Sequence, residues 1–136
     1  MSANVCVLFV EDNKLDRYLI GHAIAESGVN IRYHFAHHAE QAIEMLDSSN
    51  PPRLIVTDLR MPGIGGLELI SHLKTDEKFR TIPVVVFSTS ADSLDIQDAY
   101  DRSANSYVVK PDNMDGYKQF ATRLEDYWLK ENRMPC

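Results

Sequence analysis

Apolar residues along this chain fall into two alternating patterns, short uninterrupted runs and stripes at helical spacing. VCVLFV (5–10) is a run and predicts a first strand, closed by Glu11-Asp12-Asn13. Leu15, Leu19, Ala23 and Ile24 then recur at helical spacing until Gly28 stops them. Residues 31–35 predict a second strand, and Ala39, Ala42, Ile43 and Leu46 a second helix that ends before Ser48-Ser49-Asn50-Pro51-Pro52. Residues 54–57 predict the third strand; Leu67, Ile70 and Leu73 mark the third helix. VVVF (84–87) is the fourth strand, followed by a weaker stripe at Leu94, Ile96, Ala99 and Tyr100. Residues 107–109 make a short fifth strand, and Tyr117, Phe120, Ala121, Leu124 and Trp128 give the cleanest helical stripe.

Five strand–helix units in this order predict a parallel sheet with helices on both faces. The strands are continuously apolar rather than alternating, as burial on both sides requires. The expected class is α/β, a flavodoxin-like doubly wound five-stranded sheet, in which ligands bind outside the carboxyl ends of the strands. With no repeat, low-complexity segment or linker, one domain over residues 1–136 is expected.

Composition narrows the classes. Apolar residues make up 44% and charged ones 25%, ordinary values for a globular domain. The net charge of -6 argues against a nucleic-acid surface and suggests acids clustered around a cation. No apolar run approaches the roughly 20 residues that span a bilayer, and the N-terminus lacks the basic region of a signal peptide. A cytoplasmic protein without membrane contact is expected. Cys6 reads as a small buried apolar residue, Cys136 ends the chain, and their spacing fits neither a zinc nor a redox motif.

The carboxyl ends of the predicted strands carry the chemistry. Strand 1 ends in Glu11-Asp12, strand 3 in Asp58, strand 4 in Ser88-Thr89 and strand 5 in Lys110-Pro111. Two like charges about 4 Å apart repel by on the order of 4 kcal/mol at an effective dielectric of about 20, so converging carboxylates call for a cation. Hard oxygen ligands suit Mg²⁺. An aspartate placed there can act as a nucleophile and form an aspartyl phosphate. Lys110 and Ser88 would hold the phosphoryl oxygens. Met61-Pro62-Gly63, just after Asp58, reads as turn chemistry that shapes the site without touching phosphate.

FVEDN (9–13), IVTDLRMPG (55–63), PVVVFSTS (83–90) and ANSYVVKP (104–111) together resemble the receiver domain of two-component response regulators. The spacing agrees: Ser88 follows Asp58 by 30 residues and Lys110 follows it by 52. The resemblance covers essentially the whole chain. It implies the strand order 2-1-3-4-5, Asp58 as phosphoacceptor, and Mg²⁺ held by Glu11, Asp12, Asp58 and the backbone carbonyl of Arg60. It also implies Lys110 and Ser88 as phosphate contacts, Ser88 and Tyr107 as the switch pair, and Arg60, Thr89 and Ser90 as residues that tune phosphate lifetime. A cis Lys110–Pro111 peptide is a further family expectation. The donor would be a sensor histidine kinase or a phosphotransfer protein, and the responding surface the fourth helix, fifth strand and fifth helix. Such a domain phosphorylates and dephosphorylates itself without being an enzyme with a diffusible product.

Some residues depart from the family pattern. Gly65-Gly66 replaces the usual Asp-Gly and removes an expected N-cap from the third helix. Thr89 is bulkier than the common residue, so access for small donors such as acetyl phosphate should narrow. The adjacent His37 and His38 read as a solvated loop, not a metal pair. No output domain is expected after the fifth helix, which leaves docking to a downstream protein target or passage of the phosphoryl group. Tyr127, Trp128 and Leu129 are consecutive, so one helix face cannot bury all three. AYDRSANSYVVKP with this YWL ending is similar to stand-alone regulators that accompany phytochrome-type or other sensory kinases, several of which form homodimers. Three other classes compete: a receiver fold used only for docking, an aspartyl-nucleophile phosphatase of the haloacid dehalogenase kind, and a flavodoxin-like flavin carrier. The phosphatase family wants an acid where Arg60 stands. A flavodoxin-like flavin carrier would set Glu11 and Asp12 against the flavin phosphate.

Overall fold

The computed structural model describes residues 7–48 and 50–133. Among these residues five strands alternate with five helices: β1 (Val7–Val10), α1 (Lys14–Ser27), β2 (Tyr33–Ala36), α2 (Ala39–Ser48), β3 (Leu54–Thr57), α3 (Gly66–Lys74), β4 (Val84–Ser88), α4 (Ser93–Asp101), β5 (Ser106–Val109) and α5 (Met114–Arg123). A π-helical segment, Leu124–Glu131, continues α5. All strand pairs are parallel and the order is β2-β1-β3-β4-β5. Val10 is level with Thr57, and Thr57 with Val86, so the acids that follow β1 and β3 emerge at one edge.

Alternation along each strand divides the core in two. Leu8, Val10, Ile55, Val84 and Val86 pack with residues of α2, α3 and α4. Val7, Phe9, Leu54, Val56, Val85 and Phe87 pack with residues of α1 and α5. The inner strands β1, β3 and β4 are buried along their whole length, which explains their unbroken apolar sequence. The outer strands β2 and β5 are only partly covered.

Caps aim the helices at that edge. Asn13 Oδ1 accepts the Asp16 amide at 3.0 Å and starts α1 directly after Glu11-Asp12; Gly28, at φ 76, ends the helix in the left-handed conformation. Asp92 and Asn113 cap α4 and α5 in the same way. The expected loss of a cap on α3 is partly made good, because the Gly65 amide donates to Glu68 Oε1 at 3.1 Å. Gly66 is there for space: a Cβ would lie 2.1 Å from the Asp58 carbonyl oxygen. Its absence lets α3 press against the backbone that carries Asp58.

The structure shifts some sequence expectations. The second strand runs from Tyr33 to Ala36, two residues later than its apolar start at Ile31 suggested, although Ile31 itself is buried. Val5, Cys6 and Cys136 lie outside the described residues. The last helical stripe unwinds into the π-helical segment, where Tyr127 is exposed while Trp128 and Leu129 pack against the α1–α5 side of the core. Arg53 Nη1, which donates to the Leu129 carbonyl at 2.8 Å, ties this segment down.

Candidate functional site

Asp58 continues the ladder of β3, its amide donating to the Val10 carbonyl at 3.0 Å. The strand before it is wholly buried, so the carboxylate sits on rigid backbone. Its two oxygens have different partners. Oδ1 accepts the Leu59 amide at 2.6 Å, and Oδ2 accepts from Lys110 Nζ at 3.0 Å.

Lys110 follows β5, and its side chain is only 2% exposed. Its ammonium also donates to Glu11 Oε1 at 2.9 Å and to Asp16 Oδ2 at 2.7 Å. An ammonium has three N–H groups, and here each meets a different carboxylate. The Phe87 ring, stacked at 4.0 Å on Phe120, lies beneath, 5.9 Å from the ammonium to the ring centroid. Burial alone would lower the Lys110 pKa, but its hydrogen bonds to Asp16 and Glu11 outweigh that and hold the group protonated. Glu11, 2% exposed, behaves differently. Burial and the neighbouring Asp58 charge push its carboxyl up to about 7, against the opposing pull of Lys110.

Glu11, Asp16 and Asp58 offer oxygens that all lie within 4.8 Å of one another. Three hard donors so close suit a divalent ion, and the Lys110 ammonium among them shows that the group draws a cation. The sequence pointed to Asp12 beside Glu11; the structure leaves Asp12 exposed at the rim and adds Asp16 to the cluster of Glu11 and Asp58. Neighbouring residues at the end of a strand point to opposite sides. Asp16 lies in the first turn of α1, past the end of the strand that carries Glu11. The Asn13 cap that starts α1 directly after β1 was the signal that could have found it. The Lys110–Pro111 peptide is trans, since no cis bond occurs among the described residues, contrary to the family expectation. Lys110 reaches the acids all the same.

A second network flanks the first. Ser88 is buried at the end of β4, and its Oγ accepts the Ser90 amide at 3.2 Å. The Tyr107 hydroxyl donates to the Ser90 carbonyl at 2.9 Å, with its ring packed toward the α2–α4 side of the core. Ser90 Oγ donates to Asp95 Oδ2 at 2.6 Å, and Arg60 Nη2 lies 2.8 Å from both Asp95 oxygens. Arg60, Ser88, Ser90 and Tyr107 are thus gathered on one side of Asp58. Thr89 stands exposed outside this network. Asp95, in the first turn of α4, was not anticipated. His37 and His38 are exposed and stand outside the acidic cluster, His38 lying 3.3 Å from Glu40.

The family model described as the response regulator receiver domain matches residues 7–121. This chain belongs to that family. As a receiver domain it is a component of two-component signalling, a family of signalling domains rather than classical enzymes. The probable methanogenesis regulatory protein FilR2 of Methanothrix harundinacea is 34% identical over 95% of this chain and 86% of its own length. Among solved structures, the phosphorylated cyanobacterial phytochrome response regulator RcpA superposes with a TM-score of 0.88 at 33% identity, covering 98% of this receiver and all of that chain, 100%. The Mn²⁺-bound form of response regulator Rcp1 gives 0.85 at 27% identity, over 98% of this receiver and 100% of that chain; curated Rcp1 is from Synechocystis. No helix among the described residues is long and apolar enough to cross a membrane.

Proposed function

We propose that this receiver domain is a phosphorylation switch in which Asp58 takes a phosphoryl group from the phosphohistidine of a sensor histidine kinase or a phosphotransfer protein. A carboxylate oxygen of Asp58 forms the new P–O bond while the P–N bond to the donor histidine breaks. The imidazole nitrogen leaves with the electron pair and takes up a proton. The observation that carries this reading is the buried Lys110 ammonium on Asp58 Oδ2, backed by the Glu11 carboxylate at the same edge. On this reading Lys110 turns a donor toward the phosphoryl oxygens, and holding it protonated in advance avoids reorganisation during transfer. Glu11, Asp12 and Asp58, with the Arg60 carbonyl, would hold Mg²⁺. When bound, that ion neutralises charge on the phosphoryl oxygens. Water later cleaves the acyl phosphate to inorganic phosphate and restores Asp58.

The phosphoryl group puts roughly -1.5 to -2 charges beside Ser88 in place of the single charge of the Asp58 carboxylate. On this reading Ser88 Oγ turns from the Ser90 amide to the phosphoryl oxygen, and the Ser90 carbonyl that holds Tyr107 shifts with it. The face of α4, β5 and α5 then changes. Leu94 at 70% exposure, Tyr100 at 46% and Val109 at 43% give that face apolar contacts for a protein target. Phosphorylation needs only a few kcal/mol of bias to move such an equilibrium.

Intact-protein mass after incubation with Mg²⁺ and a phosphodonor tests this. Wild type should gain about 80 Da, one phosphoryl group, and Asp58→Ala should gain nothing. No gain on wild type across several donor kinases would overturn the reading and favour a receiver fold used for docking alone.

A further inference from the structure

We infer that Asp16 is a positioning residue for phosphoryl transfer: it fixes the Lys110 ammonium from α1, so that the lysine can release Asp58 and turn to the phosphoryl oxygens without losing its place. This rests on the reading of Asp58 as the acceptor.

All three Lys110 donors are used, and the shortest contact, 2.7 Å, is to Asp16 rather than to Asp58. The three acceptors stand on different backbone. Glu11 and Asp58 follow neighbouring strands, and both belong to the set that would hold Mg²⁺, so both must reorganise when ion and phosphoryl group arrive. Asp16 belongs to α1, and its own amide is fixed by the Asn13 cap at 3.0 Å. Arg17, the next residue, donates through Nη1 to the Glu11 carbonyl at 2.9 Å and ties that turn to the end of β1. The Asp16 side chain is 22% exposed against 2% for Lys110, so it approaches the ammonium from the rim. A long flexible side chain held at one fixed point loses less freedom when it forms its next contact. The competing role for Asp16 is that of metal ligand, since its oxygen also lies within 4.8 Å of Glu11 and Asp58. The two roles differ in what a substitution changes.

The test measures phosphorylation rate against Mg²⁺ concentration for wild type, Asp16→Ala, Asp16→Asn, Lys110→Ala and the Asp16→Ala/Lys110→Ala pair. Asp16→Ala should slow the maximal rate about tenfold, while the Mg²⁺ concentration at half-saturation moves by less than about threefold. Asp16→Asn keeps an oxygen that accepts from the ammonium and should recover most of the loss. In the Lys110→Ala background, adding Asp16→Ala should change nothing further. A readout independent of phosphorylation accompanies these. In metal-free protein the urea midpoints of the single variants should not be additive, the double variant losing less than the sum. The inference is overturned if Asp16→Ala is as fast as wild type. It is equally overturned if half-saturating Mg²⁺ rises about tenfold with the maximal rate intact, as a ligand role requires. Additive effects of the Asp16 and Lys110 substitutions would also sink it. A wild type that takes up no phosphoryl group overturns the acceptor reading and this one together, a result visible in the wild-type arm alone.

Discussion

Two polar networks flank Asp58, and they are built in opposite ways. The acidic pocket around Lys110 is nearly closed: the ammonium is 2% exposed and its three donors go to three carboxylates. The network around Asp95 is open at one end, with Arg60 at 68% exposure gripping a carboxylate at 14%. Water competes little in the first and freely in the second. A buried cation with all three donors in use fixes geometry, because it cannot turn without breaking a charge-assisted hydrogen bond. A half-exposed ion pair is worth little and can be exchanged for another contact. The rigid network therefore suits the chemistry and the loose one suits the switch, where Ser90 links Asp95 to Tyr107 and Ser88.

The contrast breaks first at Lys110. Lys110→Ala leaves three carboxylates within one pocket and should cost about 3–5 kcal/mol of stability in metal-free protein, as loss of one partner from a buried ionic group does. Millimolar Mg²⁺ should restore much of that loss. A urea midpoint near that of wild type without Mg²⁺ would mean that the ammonium is not what holds the acids together.

Glu11 sharpens the same contrast through pH. Its folded carboxyl titrates near 7 against an ordinary value of 4.5, so between those values the folded protein holds a proton that the unfolded chain has released. Stability should therefore fall as pH rises from about 4.5 to about 7, by on the order of 3 kcal/mol from this group. Lys110 is protonated in both states over that range and does not cancel the slope. Metal-free urea titrations of wild type and Glu11→Gln test the sign. The variant should lack this loss, and parallel curves for the two proteins would refute it.

The smallest effect belongs to the open network. Asp95→Ala removes both Arg60 contacts and the Ser90 hydroxyl bond and should cost about 1 kcal/mol, while Arg60→Ala should cost less than about 0.5 kcal/mol. The functional effect should be the larger one. Freed of Asp95, Ser90 holds Tyr107 less firmly, and ring NMR signals of Tyr107 should broaden or split. Unchanged Tyr107 signals in Asp95→Ala would detach α4 from the switch.

Much of this was legible in the sequence wherever burial is two-sided. β1, β3 and β4 are covered on both faces and read as unbroken apolar runs. Tyr33-His34-Phe35 of the edge strand β2 is only half covered, and its start was misplaced by two residues. The α4 stripe was weak because only Ala99 among its residues is buried. At the site, Glu11, Asp58, Ser88 and Lys110 were legible because each ends a strand. Asp12 was legible in the same way as a rim acid beside Glu11, although a sequence does not say which of two adjacent acids is the buried one. Asp16 and Asp95 were missed for a shared reason. Each sits in the first turn of a helix, where a carboxylate reads as favourable helix-end charge, and its partner lies 94 residues away for Asp16 and 35 for Asp95.

The most direct measurement is to locate the phosphoryl group itself. Phosphorylated protein reduced with borohydride converts an aspartyl phosphate to homoserine, which peptide mass spectrometry can place. Homoserine at position 58 and at no other acid is the expected result. Homoserine at Asp12 or Asp16, or none in protein that carries the added mass, would contradict Asp58 as the acceptor.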